Sequence, residues 1–359
     1  MDNYHDVLHQ MEQFGIELKD RDRSRIGDLV GSGREGRKTT CGAKGKDWFK
    51  LYIWRPDRGG QLITGSFGTY RHGGAWQKVV IEHTPTTDAE RAEQARQREA
   101  QRAAAAIARA EEVANAAADA FELWRRAARV GQSPYLDKRG LAPESCRFLA
   151  SQLLLRWPGE REDDEDTVVR LPEGTLVVPM LRFDKPRHEA LRGLQFIRPD
   201  GAKVYQRGFE KPGCAVRLGQ VTADDWLALV CEGYATGLAL RMAVDKAAPV
   251  FVAFDAGNLA HVVPLLRCLY PGVVLLICAD DDWQTRNRQT GELSNPGRTM
   301  ARRVAREVPH CDFVWPVFDQ ATRAAKDTDF DDLRRRQGLD AVRRQLESVM
   351  DAMARAHAR

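Results

Sequence analysis

Three stretches of this chain place acidic side chains where charge is costly unless it is used. The apolar run LALVC ends on Glu232 followed by Gly233, VVLLICA ends on Asp280, Asp281 and Asp282, and KDTDFDDL crowds Asp327, Asp329, Asp331 and Asp332 into a turn. Side chains alternate along a strand, so Asp280 and Asp282 point one way and Asp281 the other. If the two apolar strands are neighbours, Glu232, Asp280 and Asp282 converge. Carboxylates that close repel and raise one another's pKa unless a cation compensates. Mg²⁺ or Mn²⁺, held through a few carboxylates together with phosphate oxygens, does so. The competing reading is that these acids cap the helices that follow, where negative charge is favourable anyway. For the Asp327–Asp332 turn, a further metal or phosphate-water contact centred on Asp329 and a helix cap with a solvated loop stand level.

These acids need a scaffold, and the surrounding pattern supplies one. From Trp226 the chain alternates WLALVCEG, YATGLALRMAVDK, APVFVAFDAGN, LAHVVPLLRCLY, GVVLLICADDD, GRTMARRVAREV and DFVWPVF. Short apolar runs rich in Val, Ile and Leu between helical patterns indicate parallel strands covered on both faces. The expected fold is α/β, an open parallel sheet flanked by helices over 220–338, with an amphipathic C-terminal helix at 339–359. In such a sheet, ligands sit beyond the carboxyl ends of the strands, which is where these acids emerge.

Upstream, residues 131–219 read as a basic, strand-rich subdomain. TLVVPMLRF, LRGLQFIRPDG and AKVYQRGF are strand patterns, with RPDG a turn signal. Between Arg182 and Arg217 nine Lys or Arg face four Asp or Glu, so a basic patch lies on this sheet. Residues 84–130 are Ala-, Glu- and Arg-rich, with Thr87 and Glu90 spaced as a capping box; they predict a long, largely solvated helical linker. Residues 1–83 predict a small β-rich module with a hairpin formed by DWFKLYIW, PDRGG and QLITGSF. Six Lys or Arg against two acids between Gly31 and Lys50 make Arg34, Arg37, Lys38, Lys44, Lys46, Trp48 and Tyr52 candidates for single-strand binding, which wants cations beside aromatic platforms. Alternating aromatics also make ordinary sheet cores. The acidic run 159–166 is a solvated loop.

Composition narrows the classes. At 359 residues and 43% hydrophobic content the chain builds more than one domain. Its seven cysteines never stand two residues apart, so no zinc ribbon is expected and reduced, structural thiols are. MDNYHDVLHQMEQFG lacks the features of a secretory signal and no apolar stretch is long enough to span a bilayer, so a cytoplasmic protein without membrane contact is expected.

At this point the residues resemble a known family. A strand ending in Glu-Gly followed by one ending in Asp-x-Asp resembles the Toprim domain shared by bacterial-type primases, topoisomerases and some nucleases. The ordered set CEGYATGLAL, AFDAGNL, CADDD, NPGRTMARRVA and DTDFDDL, after LVVPMLRFDKPRHEALRGLQFIRPDGAKVYQRGF, is similar to Toprim primases of phages, plasmids and integrating elements over roughly residues 134–346. The resemblance implies that Glu232, Asp280 and Asp282 hold the metal, and that Lys203, Arg207 and Lys211 belong to the patch that holds nucleotide phosphates and template. It also implies a zinc ribbon, for which this chain has no cysteine or histidine set.

The resulting expectation is a DNA primase that joins ribonucleoside triphosphates into short RNA on a single-stranded DNA template, for replication of a mobile element. No GxxxxGK[ST] loop is present, so a separate replicative helicase is the expected partner. The alternatives are a Toprim nuclease using the same carboxylates and a non-catalytic single-stranded DNA-binding accessory protein.

Overall fold

The computed structural model of the protein describes residues 1–359 apart from 43–44, 56–58, 71–73, 82–87, 158–165, 287–289 and 358–359. Thr87, Lys44 and most of the acidic run 159–166 therefore lie outside the described residues. Two compact units are present: Met1–Ala106 with Arg286–Glu292, and Ile107–Thr285 with Leu293–Arg359.

In the first unit, helices α1 (Tyr4–Gln13) and α2 (Asp20–Gly27) accompany an antiparallel sheet of β1 (Thr39–Cys41), β2 (Asp47–Trp54), β3 (Leu62–Thr69) and β4 (Trp76–Lys78), in sequential order. The period of two decides its core. Phe49, Leu51, Ile63 and Phe67 point inward and pack with Val7, Met11, Ile26 and Leu29. The expected hairpin is β2–β3, with Trp54 opposite Leu62. Helix α3 (Asp88–Arg126) follows. Its residues 95–112 are exposed, as the lack of large apolar residues requires. Val113, Ala116 and Ala120 are buried, and Ala120 joins a core with Leu171, Val177, Leu194 and Phe196. The later turns of this helix are thus part of the second unit's packing.

That unit begins with α4 (Pro134–Asp137) and β5 (Arg147–Phe148), and then a two-stranded ribbon of β6 (Leu153–Trp157) and β7 (Thr167–Leu171). An antiparallel sheet follows, ordered β10-β9-β8-β5, in which β8 is Leu176–Leu181, β9 Leu191–Ile197 and β10 Lys203–Tyr205. The RPDG turn joins β9 to β10, with the Arg198 amide donating to the Ala202 carbonyl.

The second sheet of this unit is ordered β11-β13-β12-β14-β15, from β11 (Val216–Leu218), β12 (Leu227–Cys231), β13 (Val250–Val252), β14 (Val274–Cys278) and β15 (Cys311–Val314). Strands β12 to β15 pair in parallel, while β11 pairs antiparallel to β13. Helices α5 (Tyr234–Ala243), α8 (Phe330–Gln337) and α9 (Leu339–His357) contribute to the core on one face, and α6 (Ala256–Leu269) and α7 (Pro296–Glu307) to that on the other. Burial on both faces explains why β12 and β14 are apolar at every position. No described helix is long and apolar enough to cross a membrane.

Candidate active site

Strands β12 and β14 are direct neighbours, with Cys231 opposite Cys278. Glu232 and Asp280 therefore leave the sheet side by side at its carboxyl edge. Glu232 is only 8% exposed. Burial pushes its carboxyl up to about 7, with the charge of Asp282 adding to the effect. Asp280 is held well above the usual carboxylate range, first by burial and then by the charges of Glu232, Asp329 and Asp282. Oε1 of Glu232 and Oδ1 of Asp280 are buried without a hydrogen-bond partner among the described residues. Leaving such atoms unpaired is expensive.

Four helix starts surround this pair. Gly233 precedes α5, Asp255 caps α6, Asn295 caps α7 and Asp329 caps α8. The Asp282 carboxylate accepts from the Gly297 amide at 3.0 Å in the first turn of α7. Helix N-termini favour nearby negative charge, which partly offsets the repulsion. Gly297 is required here, because a Cβ at that position would stand 2.5 Å from the Asp280 carbonyl oxygen and 2.9 Å from Glu232 Oε1.

Asp281 points elsewhere, as the alternation predicts. It is buried, ion-paired to Arg323 at 2.9 Å and Arg298 at 3.3 Å, and accepts from the Asn295 side-chain amide at 2.6 Å. Its role is structural. The acids of the later turn divide likewise. Asp327 pairs with Arg336, Asp331 with Arg334 and Arg139, and Asp332 completes the capping box of α8. Asp329 does two things: it accepts from the Asp332 amide as the cap and from the Thr236 hydroxyl at 2.9 Å, and its charge raises the Asp280 carboxyl. The capping reading thus holds for Asp282 and Asp329 without removing either from the acidic cluster.

Of the basic residues expected beside the acids, Lys203 on β10 is exposed, and its positive charge opposes the upward shift of the Glu232, Asp280 and Asp329 carboxyls. Lys211 forms an ion pair with Asp255 and lies 4.9 Å from the Tyr205 ring centre. Arg207 is stacked over Trp157 at 4.6 Å, on the β6–β7 ribbon. Asn258 was not singled out from the sequence, yet it ties this loop to the sheet. Its side chain donates to the carbonyls of Cys214 and Ala253 and accepts from the Gly213 amide. Next to it, Phe254 adopts φ 73° and its carbonyl accepts from the Tyr205 hydroxyl. A bulky residue in the left-handed region costs about 1–3 kcal/mol and persists only where its surroundings enforce it.

The donor set bears on a metal. Among the described residues no three His, Cys, Asp or Glu side chains are gathered into a ready cage. What the site offers is two orphaned, buried carboxylate oxygens with Asp282 and Asp329 beside them. Such a set suits a hard cation that keeps water or phosphate oxygens as its other ligands.

In the first unit, Arg37, Lys38 and Lys46 are exposed and Trp48 and Tyr52 half-buried. Arg34 is buried at 7% exposure, so it lies within the module and not on its surface. A cavity of about 860 Å³ in the second unit is lined by Arg125, Arg147, Arg182, Lys185, Arg187 and Arg217 with Trp124 and Phe183 among others. Tyr270, which ends α6, also lines it, so it opens toward the end of the sheet away from the carboxylates.

Part of the chain is similar to known proteins. A family model described as Toprim domain matches residues 227–340. Two proteins named DNA primase TraC, both from Escherichia coli, are 33% identical over 127 residues and 32% identical over 130, covering 35% and 36% of this chain. The matches span 11% and 9% of those primases, so the chain corresponds to a small part of either. The RNA polymerase domain of Mycobacterium tuberculosis primase DnaG is similar at 17% identity and TM-score 0.39, over 66% of this chain and 79% of that one. Residues 227–340 thus match a Toprim domain, and over about a third of its length the chain is similar to TraC DNA primases.

Proposed function

We propose that the protein is a DNA primase that joins ribonucleoside triphosphates on a single-stranded DNA template in the replication of a mobile element. The observation that carries this reading is the pairing of β12 with β14, which brings Glu232 and Asp280 out side by side at one sheet edge, where Asp282 accepts from the Gly297 amide and Asp329 from the Thr236 hydroxyl at the start of α5. A strand-joining reaction brings a triphosphate and a chain end together and needs acids for a cation on one side and cations for phosphates on the other.

Glu232 and Asp280 would hold Mg²⁺ or Mn²⁺ through their unpartnered oxygens, with Asp282 and Asp329 near enough to share its charge. When bound, the ion supplies charge neutralisation of the reacting phosphates. Lys203 and Lys211 would bind the triphosphate, Lys211 being handed over from Asp255, and Arg207 would hold template beside Trp157. Where Glu232 is not itself a ligand, its carboxyl, raised to about 7 by burial, is suited to accept the proton of the 3′-hydroxyl while the 3′-oxygen bonds to the α-phosphorus and pyrophosphate leaves. The basic cavity at the other end of the sheet adds surface for a polyanion. Template strands would come from a separate helicase.

The test is primer synthesis on single-stranded DNA with labelled ribonucleotides and Mg²⁺ or Mn²⁺. Short products that vanish in an Asp280→Asn, Asp282→Asn variant support the proposal. A folded wild type that shortens the template favours a nuclease, and one that binds DNA without making products favours an accessory protein.

A further inference from the structure

The inner face of the β1–β4 sheet is filled by the core, but the outer face is built differently. Its three-strand rows are set by the register. Trp48, Gly68 and Trp76 lie in one row, and Lys50, Ser66 and Lys78 in the next. Tyr52 and Thr64 form a third. The middle strand thus carries small side chains wherever its neighbours carry aromatic or cationic ones.

Trp76 is 59% exposed, and Lys50 and Lys78 are exposed. Tyr70, just past β3, is 51% exposed. Lys38 lies 4.0 Å from the Trp48 ring centre and 4.7 Å from that of Tyr70, bracing both rings. No acid stands at any outward position of β2, β3 or β4. A solvated face needs no such rings, and an ordinary protein interface is poor in lysine.

The spacing leaves room for a flat ring. Trp48 and Trp76 are two strand spacings apart, about 9.6 Å. That separation leaves room for a base against the face of either ring. Gly68 leaves the floor between them clear. The lysine row lies two residues along, about 6.8 Å away, within reach of the phosphate next to such a base.

We infer that this outer face is a single-stranded nucleic-acid platform, with bases stacking on Trp48 and Trp76 and phosphates on Lys50 and Lys78. The inference is independent of the carboxylate reading. It keeps Trp48 from the set expected from the sequence and adds Lys50, Trp76 and Lys78 on the same sheet face.

The test uses the full chain in EDTA without nucleotides, so it is blind to catalysis. Binding of an oligothymidylate of about 15 nucleotides is followed by anisotropy and by tryptophan quenching across a salt series. Trp76→Ala should weaken binding ~5- to 150-fold at every salt concentration, the range that one stacked base contributes, and reduce the quenching; Trp76→Phe should restore much of the loss. Lys50→Gln with Lys78→Gln should lower the salt slope by about 1.4, two phosphate contacts on a single strand. Duplex DNA of the same length should show no dependence on Trp76. Unchanged affinity and slope in these variants, or equal losses for duplex, would overturn the inference. A primer-synthesis failure would leave it standing.

Discussion

Glu232→Gln should stabilise the protein at alkaline pH and leave it unchanged in acid. Burial raises the Glu232 carboxyl from 4.5 to about 7, and each tenfold change in the equilibrium is worth about 1.4 kcal/mol. Ionising Glu232 in the folded protein thus costs ~3 kcal/mol relative to the unfolded chain. Burial is the larger part of that cost and the charge of Asp282 the next, and about 1–3 kcal/mol is expected from one replacement. The folded state binds the proton more tightly, so stability is full below pH 4.5, falls as pH rises toward 7, and stays low above it. Thermal unfolding in EDTA at pH 4.5 and 8.5 reads this directly, a gain of ~1 kcal/mol moving the transition of a domain this size by roughly 2–4 °C. Added Mg²⁺ should raise the wild type at pH 8.5 more than the variant, because it removes the same repulsion. A variant less stable than wild type at pH 8.5 in EDTA would refute the reasoning, since it would mean the carboxylate is stabilised where it stands.

Other expectations follow from neighbouring contacts. Gly297→Ala forces a Cβ against the Asp280 carbonyl and Glu232 Oε1, and should cost about 1–3 kcal/mol in a thermal melt and lower primer yield. Asn258→Ala orphans the groups it bonds near β13; a loss of ~2–4 kcal/mol is expected, with faster amide hydrogen exchange at Gly213. Arg323→Leu leaves Asp281 with Arg298 as its remaining ion-pair partner. It should destabilise by about 3 kcal/mol, and Asp281→Asn in the same chain should recover part of that loss in a double-mutant cycle.

The positions of Glu232 and Asp280 were legible because an apolar strand and the acid that ends it are adjacent in sequence, and because parallel sheets gather such ends on one edge. The helices between those strands were legible for the same reason of alternation. What balances Asp281 was not: Arg323 pairs with its carboxylate from 42 positions away, and nothing local marks that cation among many. The NPGR signal does mark the start of α7, an Asn cap with Pro in the first turn, but the close approach of Gly297 to Glu232 depends on the packed sheet. Strand β11 also escaped, since three residues carry too little periodicity to assign them to a sheet. Arg34 looked like surface because basic residues flank it, whereas the fold takes it inside.

Strand β11 has a practical consequence for anyone who divides this chain. It covers the outer edge of β13 through antiparallel pairing, and Ala215 just before it bridges to Leu181 at the end of β8. A fragment trimmed to residues 227–340, the span of the Toprim match, would lose that cover and leave the unpaired amides and carbonyls of Val250–Val252 as a bare apolar edge. Bare edges recruit other strands, so such a fragment is expected to self-associate, while one beginning upstream of β8 keeps its border sealed.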